Sequence, residues 1–383
     1  MVTSPEETLP RGILNIDLTA AVALNPKNFT SLNRTPWAGT LLASGIKQSQ
    51  AQNKAQKIGE SWEVSCDPEA PSRLVEAPEA TLADLIACRT SECLSGALVA
   101  SGRATCDILI KLLNADSPLS LQIHPSDDNK HLKSNECGKP ESWLVLSAKE
   151  GSGLYLGFKN ALPVEVIRKQ LETNTFNADD LQFVPVKPGD FFEIQPHVPH
   201  AIGPGVVLLE PQRIIAGKSG KTYRLWDWNR KYNSAGVLDQ QNGRPRDLHI
   251  SESMPLLDPA NQTGESYIAK LKRSAAVLTP SPGVTLQIYP ANKWYQVIDV
   301  KLAPNARLQI KAEAGFACAT VISGHVASAS QYGRRISMRQ GESYFIPASA
   351  LPNTLKTVGD EAHLTIVVPS GPGIPNHEGR VFQ

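Results

Sequence analysis

Proline and glycine cut this chain into short runs. With 29 prolines and 27 glycines in 383 residues, long helices are excluded over most of its length. Between the breaks lie β-rich segments, the pattern of an all-β body with many turns. Ile108-Leu109-Ile110-Lys111-Leu112-Leu113 reads as a strand buried on both faces. Leu119-Ser120-Leu121-Gln122-Ile123-His124 alternates strictly between apolar and polar residues. Later strands are expected at Gly205 to Leu209, Val297 to Leu302, Ala319 to Ile322 and His363 to Val368. Helices are the minority: one is expected from about Leu82 to Leu94, where Leu82, Leu85, Ile86 and Leu94 recur at helical spacing. Another is expected from Pro163 to Leu171, with proline in the first turn.

The stretch Arg244 to Pro282 is loop-rich and holds Pro245, Pro255, Pro259 and Pro280, so a boundary is expected inside it. Residues 1–260, with an N-terminal segment and helical insertions, then form a first unit, and residues 261–383 a second. Two segments look like copies: Pro188-Gly189-Asp190-Phe191-Phe192-Glu193-Ile194 and Gln340-Gly341-Glu342-Ser343-Tyr344-Phe345-Ile346-Pro347. Glycine, an acid, aromatics and isoleucine recur in the same order, which points to two related β units in tandem.

Charge and composition exclude whole classes of function. Lys plus Arg total 38 against 37 Asp plus Glu. Such a balance provides no broad positive field for nucleic acid or an acidic membrane, and any anion recognition must be local. No apolar run reaches the roughly 18 residues of a membrane span. The six cysteines are dispersed without a CxxC pair, so reduced thiols and a cytoplasmic location are expected. Three Asn-x-Thr matches are too short a motif to carry weight.

The alternating strand carries the chemistry. Side chains in a strand alternate between faces, so Ser120, Gln122 and His124 share one face and Leu119, Leu121 and Ile123 the other. A polar strip turned into a closed β unit is costly unless something satisfies it, and a metal ion would do so. Glu141 follows in Gly138-Lys139-Pro140-Glu141, and two histidines, His197 and His200, flank Val198-Pro199. Two imidazoles, a carboxylate and an amide oxygen suit zinc with a position left open for substrate. His200 stands eleven residues after Gly189, just past the bend. Eleven residues after Gly341 stands Pro352. The second copy is therefore expected to be metal-free and structural.

These residues, with Pro36-Trp37-Ala38-Gly39-Thr40, Lys57-Ile58-Gly59-Glu60-Ser61-Trp62-Glu63-Val64-Ser65, Val198-Pro199-His200-Ala201-Ile202-Gly203 and Thr222-Tyr223-Arg224-Leu225, resemble the type I mannose-6-phosphate isomerases. These are zinc enzymes of the cupin fold. The likeness covers most of the chain and is nearest to the shorter bacterial branch, in which Gly-Lys-x-Glu stands for the His-Lys-Pro-Glu of longer members. The resemblance implies a mainly β fold of two tandem cupin (jelly-roll) barrels with a few inserted helices. It implies one zinc ion per chain held by Gln122, His124, Glu141 and His200. It also maps active-site groups onto Lys111, Ser120, Lys139, Glu210 and Arg224. Two departures stand out. The family usually carries aspartate four residues before the arginine, where this chain has Gly220, and the segment between Glu210 and Arg224, which includes the basic Arg213, Lys218 and Lys221, is about four residues longer than the resemblance implies.

The expected reaction is an aldose-ketose isomerisation of mannose 6-phosphate to fructose 6-phosphate. It needs a positioned acid-base group, an electrophile for the developing oxyanion and cations for the substrate. Arg224, Lys139 and Glu210 are the candidate catalytic groups, and Lys111 and Ser120 the candidate substrate contacts. Trp226 and Trp228 could stack on a sugar or pack in the core. The expected partner is a small-molecule sugar phosphate, without nucleic acid or membrane, and the expected state a monomer or weak homo-oligomer. Two alternatives stand beside this one. A non-catalytic metal- and sugar-binding cupin has less need of Lys139 and Arg224, and Gln122 argues against an iron-dependent oxygenase.

Overall fold

A computed structural model describes residues 10–371 and 381–382. The chain is mainly β, as the short runs predict, and its larger sheets form two groups. The first group joins a six-stranded sheet, in the order Lys272–Arg273, Phe191–Ile194, Glu141–Ala148, Val206–Arg213, Ile108–Asn114 and Glu60–Val64, to a five-stranded sheet. The latter runs Tyr223–Trp226, Leu121–Ile123, His200–Ile202, Gly153–Phe158 and Leu181–Pro185. One apolar core draws on both: Leu113, Trp143, Phe192 and Leu208 from one sheet meet Leu154, Leu156 and Ile202 from the other. Ile108–Asn114 is buried at every position, as its apolar run requires.

In the second group, a seven-stranded sheet faces a four-stranded one, Arg307–Ile310, Asn353–Thr357, His325–Ser330 and Arg335–Arg339. The space between them is filled by apolar side chains including Leu308, Val326, Met338, Leu355 and Ile366. The two look-alike segments fold alike. Gly189 and Gly341 both have left-handed backbone, φ 87° and 80°. Asp190 accepts from the Lys187 amide at 3.1 Å, and Glu342 accepts from the Arg339 amide at 2.9 Å. In each turn glycine reverses the chain and the acid ties off the turn it has just made.

Strand pairing puts the change-over between the groups later than residue 260. The loop-rich stretch contains a helix, Glu265–Leu271, whose Tyr267 and Leu271 are buried in the first core, and Lys272–Arg273 still pairs with Phe192 and Phe191. The second group's strands begin at Ala276–Leu278. The N-terminal segment also departs from the expected layout, because Val22–Ala23 pairs with Phe345 and Tyr344 in the seven-stranded sheet. The two groups share a continuous apolar interface, and a buried ion pair of the first reaches across it. Lys47 reaches Glu63 at 2.6 Å and donates to the Gly341 carbonyl at 2.7 Å. The ammonium also donates to the Pro26 carbonyl and Ser343 donates to Glu63, and hydrogen bonds of this kind are what let such a pair survive burial.

The helix expected over 82–94 is two pieces, Leu82–Cys88 and Thr90–Cys93, broken where the Arg89 backbone leaves helical geometry and its guanidinium turns to the Ile16 carbonyl and Glu92. A Thr81–Asp84 capping box starts the first piece. The second expected helix is Val164–Glu172, with Pro163 capping it. Among the described residues no helix is long and apolar enough to cross a membrane.

Candidate metal centre and active site

Register assembles the site from distant stretches of chain. In the five-stranded sheet Gln122 lies directly opposite His200 on one side and Arg224 on the other. Directly opposed residues share a face, so these three form a row. In the six-stranded sheet Trp62, Lys111 and Glu210 form another row, and Gln212 lies opposite Glu141.

His124, Glu141 and His200 are buried, and their ligand atoms lie within 4.8 Å of one another. His124 Nε2 is 3.2 Å from one Glu141 oxygen and His200 Nε2 is 3.5 Å from the other. The His200 Nδ1 lies 2.7 Å from the Val198 carbonyl, to which it donates, leaving the Nε2 lone pair directed at the cluster. Neither ring nitrogen of His124 has a hydrogen-bond partner among the described residues. Burial pushes His124 down to about 3 and lowers His200, so both imidazoles are neutral. Burial opposes the charge on Glu141, yet the Lys139 ammonium, 3.4 Å away, holds its carboxyl well below the usual range. Two neutral imidazoles, one of them orphaned, around an ionised carboxylate form a donor set that fits a divalent cation. The Gln122 amide nitrogen donates to Ser120 Oγ at 3.1 Å, leaving the amide oxygen as a further donor.

His197, the alternative histidine, has a left-handed backbone, and its imidazole lies 3.4 Å from Ser126 Oγ rather than in the cluster. The Val198-Pro199 bend turns the two histidines to different neighbours.

A cavity of about 140 Å³ borders this cluster, lined by Trp62, Lys111, Gln122, Lys139, Glu210 and Arg224, among others. Glu210 accepts from Trp143 Nε1 at 2.9 Å and from Gln212 Nε2 at 2.6 Å. The same Gln212 nitrogen donates to Glu141 at 2.7 Å, bridging the two carboxyls. Burial and then the Glu141 charge push Glu210 up to about 7. Lys111 does not snorkel to the surface: its ammonium lies 4.2 Å from the Trp62 ring centre and 3.7 Å from Glu210. Arg224 donates to the Asp247 carbonyl at 2.9 Å, and its Nε is buried without a partner among the described residues. Burial and the neighbouring Arg246 lower it to about 10, so it stays cationic at neutral pH.

Sequence reasoning assigned no role to Glu60, Trp62 or Arg246, which also line the cavity. Glu60 and Trp62 are two apart in Glu60–Val64, so strand alternation could have paired them. Arg246 is held by Asp227 through two bonds of 2.8 Å, a long-range contact without a local signal. Trp226 and Trp228 are absent from the cavity lining. Trp226 packs edge-on against Phe176, and Trp228 donates to the Leu119 carbonyl. Two cations of this basic segment are paired with acids from elsewhere in the chain, Arg213 with Asp127 at 2.6 Å and Lys221 with Glu136 at 2.7 Å. Gly220 lies against Lys139, where a Cβ would stand 2.8 Å from the lysine Cγ.

Comparison with known proteins gives the family and the fold. The family model for the phosphomannose isomerase type I catalytic domain matches residues 29–142. A mannose-6-phosphate isomerase of Streptococcus mutans is 33% identical over 264 residues, 68% of this chain and 72% of that protein. The fold is similar to the crystal structure of the Bacillus subtilis mannose 6-phosphate isomerase, with a TM-score of 0.71 at 21% identity over 91% of this chain and 99% of that one. It is also similar to a mannose 6-phosphate isomerase bound with zinc and yttrium, at TM-score 0.62 and 17% identity over 92% and 100% of the two chains. With identity of this level along most of a relative's length, and with the same fold, the chain belongs to the type I phosphomannose isomerase family.

Proposed function

We propose that this chain interconverts mannose 6-phosphate and fructose 6-phosphate through an enediol, with one zinc ion held by Gln122, His124, Glu141 and His200. When bound there, zinc supplies Lewis-acid stabilisation of the substrate oxygens, an effect of several kcal/mol. A positioned acid-base group contributes about 3 to 5 kcal/mol of the roughly 8 or more that an enzyme provides, so electrostatic stabilisation has to supply the rest.

Glu210 is the proton carrier in this account. Burial raises its carboxyl toward neutrality in the metal-free chain, as an acid-base group requires, and the Trp143 and Gln212 bonds fix its orientation toward the cavity. It removes the proton beside the sugar carbonyl and returns it to the neighbouring carbon. Lys139, held beside Glu141, and Arg224, whose Nε has no partner among the described residues, present positive charge to the enediolate and the phosphate. Lys111, with its charge beside Glu210 and its stem against Trp62, orients a sugar oxygen. Ser120 positions the Gln122 amide.

The observation that carries this proposal is a cavity lined by Gln122, the Glu210 carboxyl and several cations, Lys111, Lys139 and Arg224 among them, beside the buried cluster of His124, Glu141 and His200. The test is a coupled assay with mannose 6-phosphate and free mannose as parallel substrates. Turnover of the phosphorylated sugar at least tenfold faster in kcat/KM is expected, and equal or absent turnover of both would refute the proposal.

A further inference from the structure

We propose that Tyr295, a residue of the second sheet group, is a positioning residue for the metal centre, and that bracing this centre is a task of the second group. Tyr295 is 1% exposed and begins the strand Tyr295–Leu302. Its hydroxyl crosses to the first group, donates to the Pro211 carbonyl at 2.7 Å and meets Ser142 Oγ at 3.1 Å.

Both partners sit beside site residues. Ser142 follows Glu141, and Pro211 stands between Glu210 and Gln212. The strands that carry them pair at Leu209–Leu144 and again at Gln212–Glu141, with no pair at the two positions between. Pro211 has no N–H and cannot close that stretch of ladder. The tyrosine hydroxyl takes the place of the missing link. It satisfies the proline carbonyl and leaves its own oxygen to accept from Ser142.

Alternation then gives the consequence. Ser142 and Pro211 face the second group, while Glu141, Glu210 and Gln212 face the cavity. On the cavity side Gln212 ties the two carboxyls together at 2.7 and 2.6 Å. On the other side Tyr295 ties the two strands. The separation of Glu141 and Glu210 is thus clamped from both faces of one sheet, and loss of either clamp lets the metal-ligating carboxylate drift. The outer clamp is part of a fully buried network, where an unmade bond is costly.

The inference rests on the proposed metal site but not on the sugar chemistry, so zinc affinity is the readout. Tyr295→Phe removes the hydroxyl and keeps the ring. Partners of metal ligands are typically worth 10- to 100-fold in affinity, and Tyr295 acts one residue further out, so a loss of about tenfold is expected in a zinc titration against a competing chelator. The visible absorption of the cobalt(II)-substituted protein is expected to shift as well. Ser142→Ala should weaken zinc in the same direction by less. Tyr289→Phe is the control for general destabilisation: its hydroxyl also crosses between the groups, to the Gly189 carbonyl at 2.9 Å, but that turn carries no ligand. Wild-type zinc affinity in Tyr295→Phe, or an equal loss in Tyr289→Phe, would overturn the proposal. A wild-type chain that fails to isomerise mannose 6-phosphate while Tyr295→Phe still weakens zinc would refute the proposed function and leave this inference standing.

Discussion

Replacing Gly220 by alanine tests how tightly the site is built. A Cβ at this position would lie 2.8 Å from Cγ, 2.9 Å from Cδ and 3.3 Å from Cβ of Lys139. Optimal carbon contacts are about 3.5 to 4.0 Å, so the lysine stem or the glycine backbone has to give by roughly 0.7 Å. The backbone is the better anchored of the two. Gly220 pairs with Cys137, Ser219 donates to Asp67 at 2.8 Å, and Lys221 holds Glu136 at 2.7 Å. The lysine therefore moves, and its ammonium leaves the position 3.4 Å from Glu141. Overpacking of this kind costs about 1 to 3 kcal/mol of stability, with the lower end expected at a half-buried glycine. A displacement near 1 Å at a reacting group costs on the order of 100-fold in rate, so kcat/KM should fall roughly 10- to 100-fold. Steady-state isomerase kinetics with a thermal melt on the same preparation separates the two effects. Gly220→Asp should behave at least as badly, since it adds the same Cβ. Full activity in folded Gly220→Ala would show that Lys139 does not need its present position.

Three further outcomes follow from the site. Glu210→Gln should flatten the pH dependence of stability in the metal-free protein. The Glu210 carboxyl holds its proton more tightly when folded, up to about 7, than when unfolded. Its contribution is therefore most favourable below the ordinary carboxylate range and is lost as pH rises through about 7, a window that chemical denaturation at several pH values covers. His200→Ala should lose zinc whereas His197→Ala keeps it, measured as metal content after dialysis; the reverse result would move the ligand to His197. Arg224→Lys should retain zinc and lose roughly 10-fold or more in kcat/KM, because an ammonium cannot reproduce the planar fork; unchanged kinetics would place Arg224 outside the reaction.

The legible part of this chain was local. Strict alternation at Leu119 to His124 put the candidate ligands Gln122 and His124 on one face of a strand, although only Leu121–Ile123 keeps ladder geometry. Ligand chemistry picked out Glu141, and the turn pattern at Gly189 and Gly341 foretold two similar turns. What was not legible depends on pairing between distant residues. Gln122 is flanked by His200 and Arg224, about 80 and 100 residues away, and only register shows that the three share a face. Propensity alone did not show the helix Glu265–Leu271, because Pro255 and Pro259 upstream make its neighbourhood read as loop and the burial of Tyr267 and Leu271 is tertiary. Lys47 looks like any surface lysine until the Gly341 carbonyl and Glu63 are brought to it. Gly220, a plain departure from the family pattern in one dimension, has a physical reason in three: the space that a side chain would need belongs to Lys139.

The most direct measurement of the central claim is isomerisation of mannose 6-phosphate before metal removal, after exhaustive chelation and after zinc is restored to one equivalent per chain. The account predicts that activity is lost on chelation and returns with the first equivalent of zinc. Activity that persists in protein shown to be free of metal would contradict it.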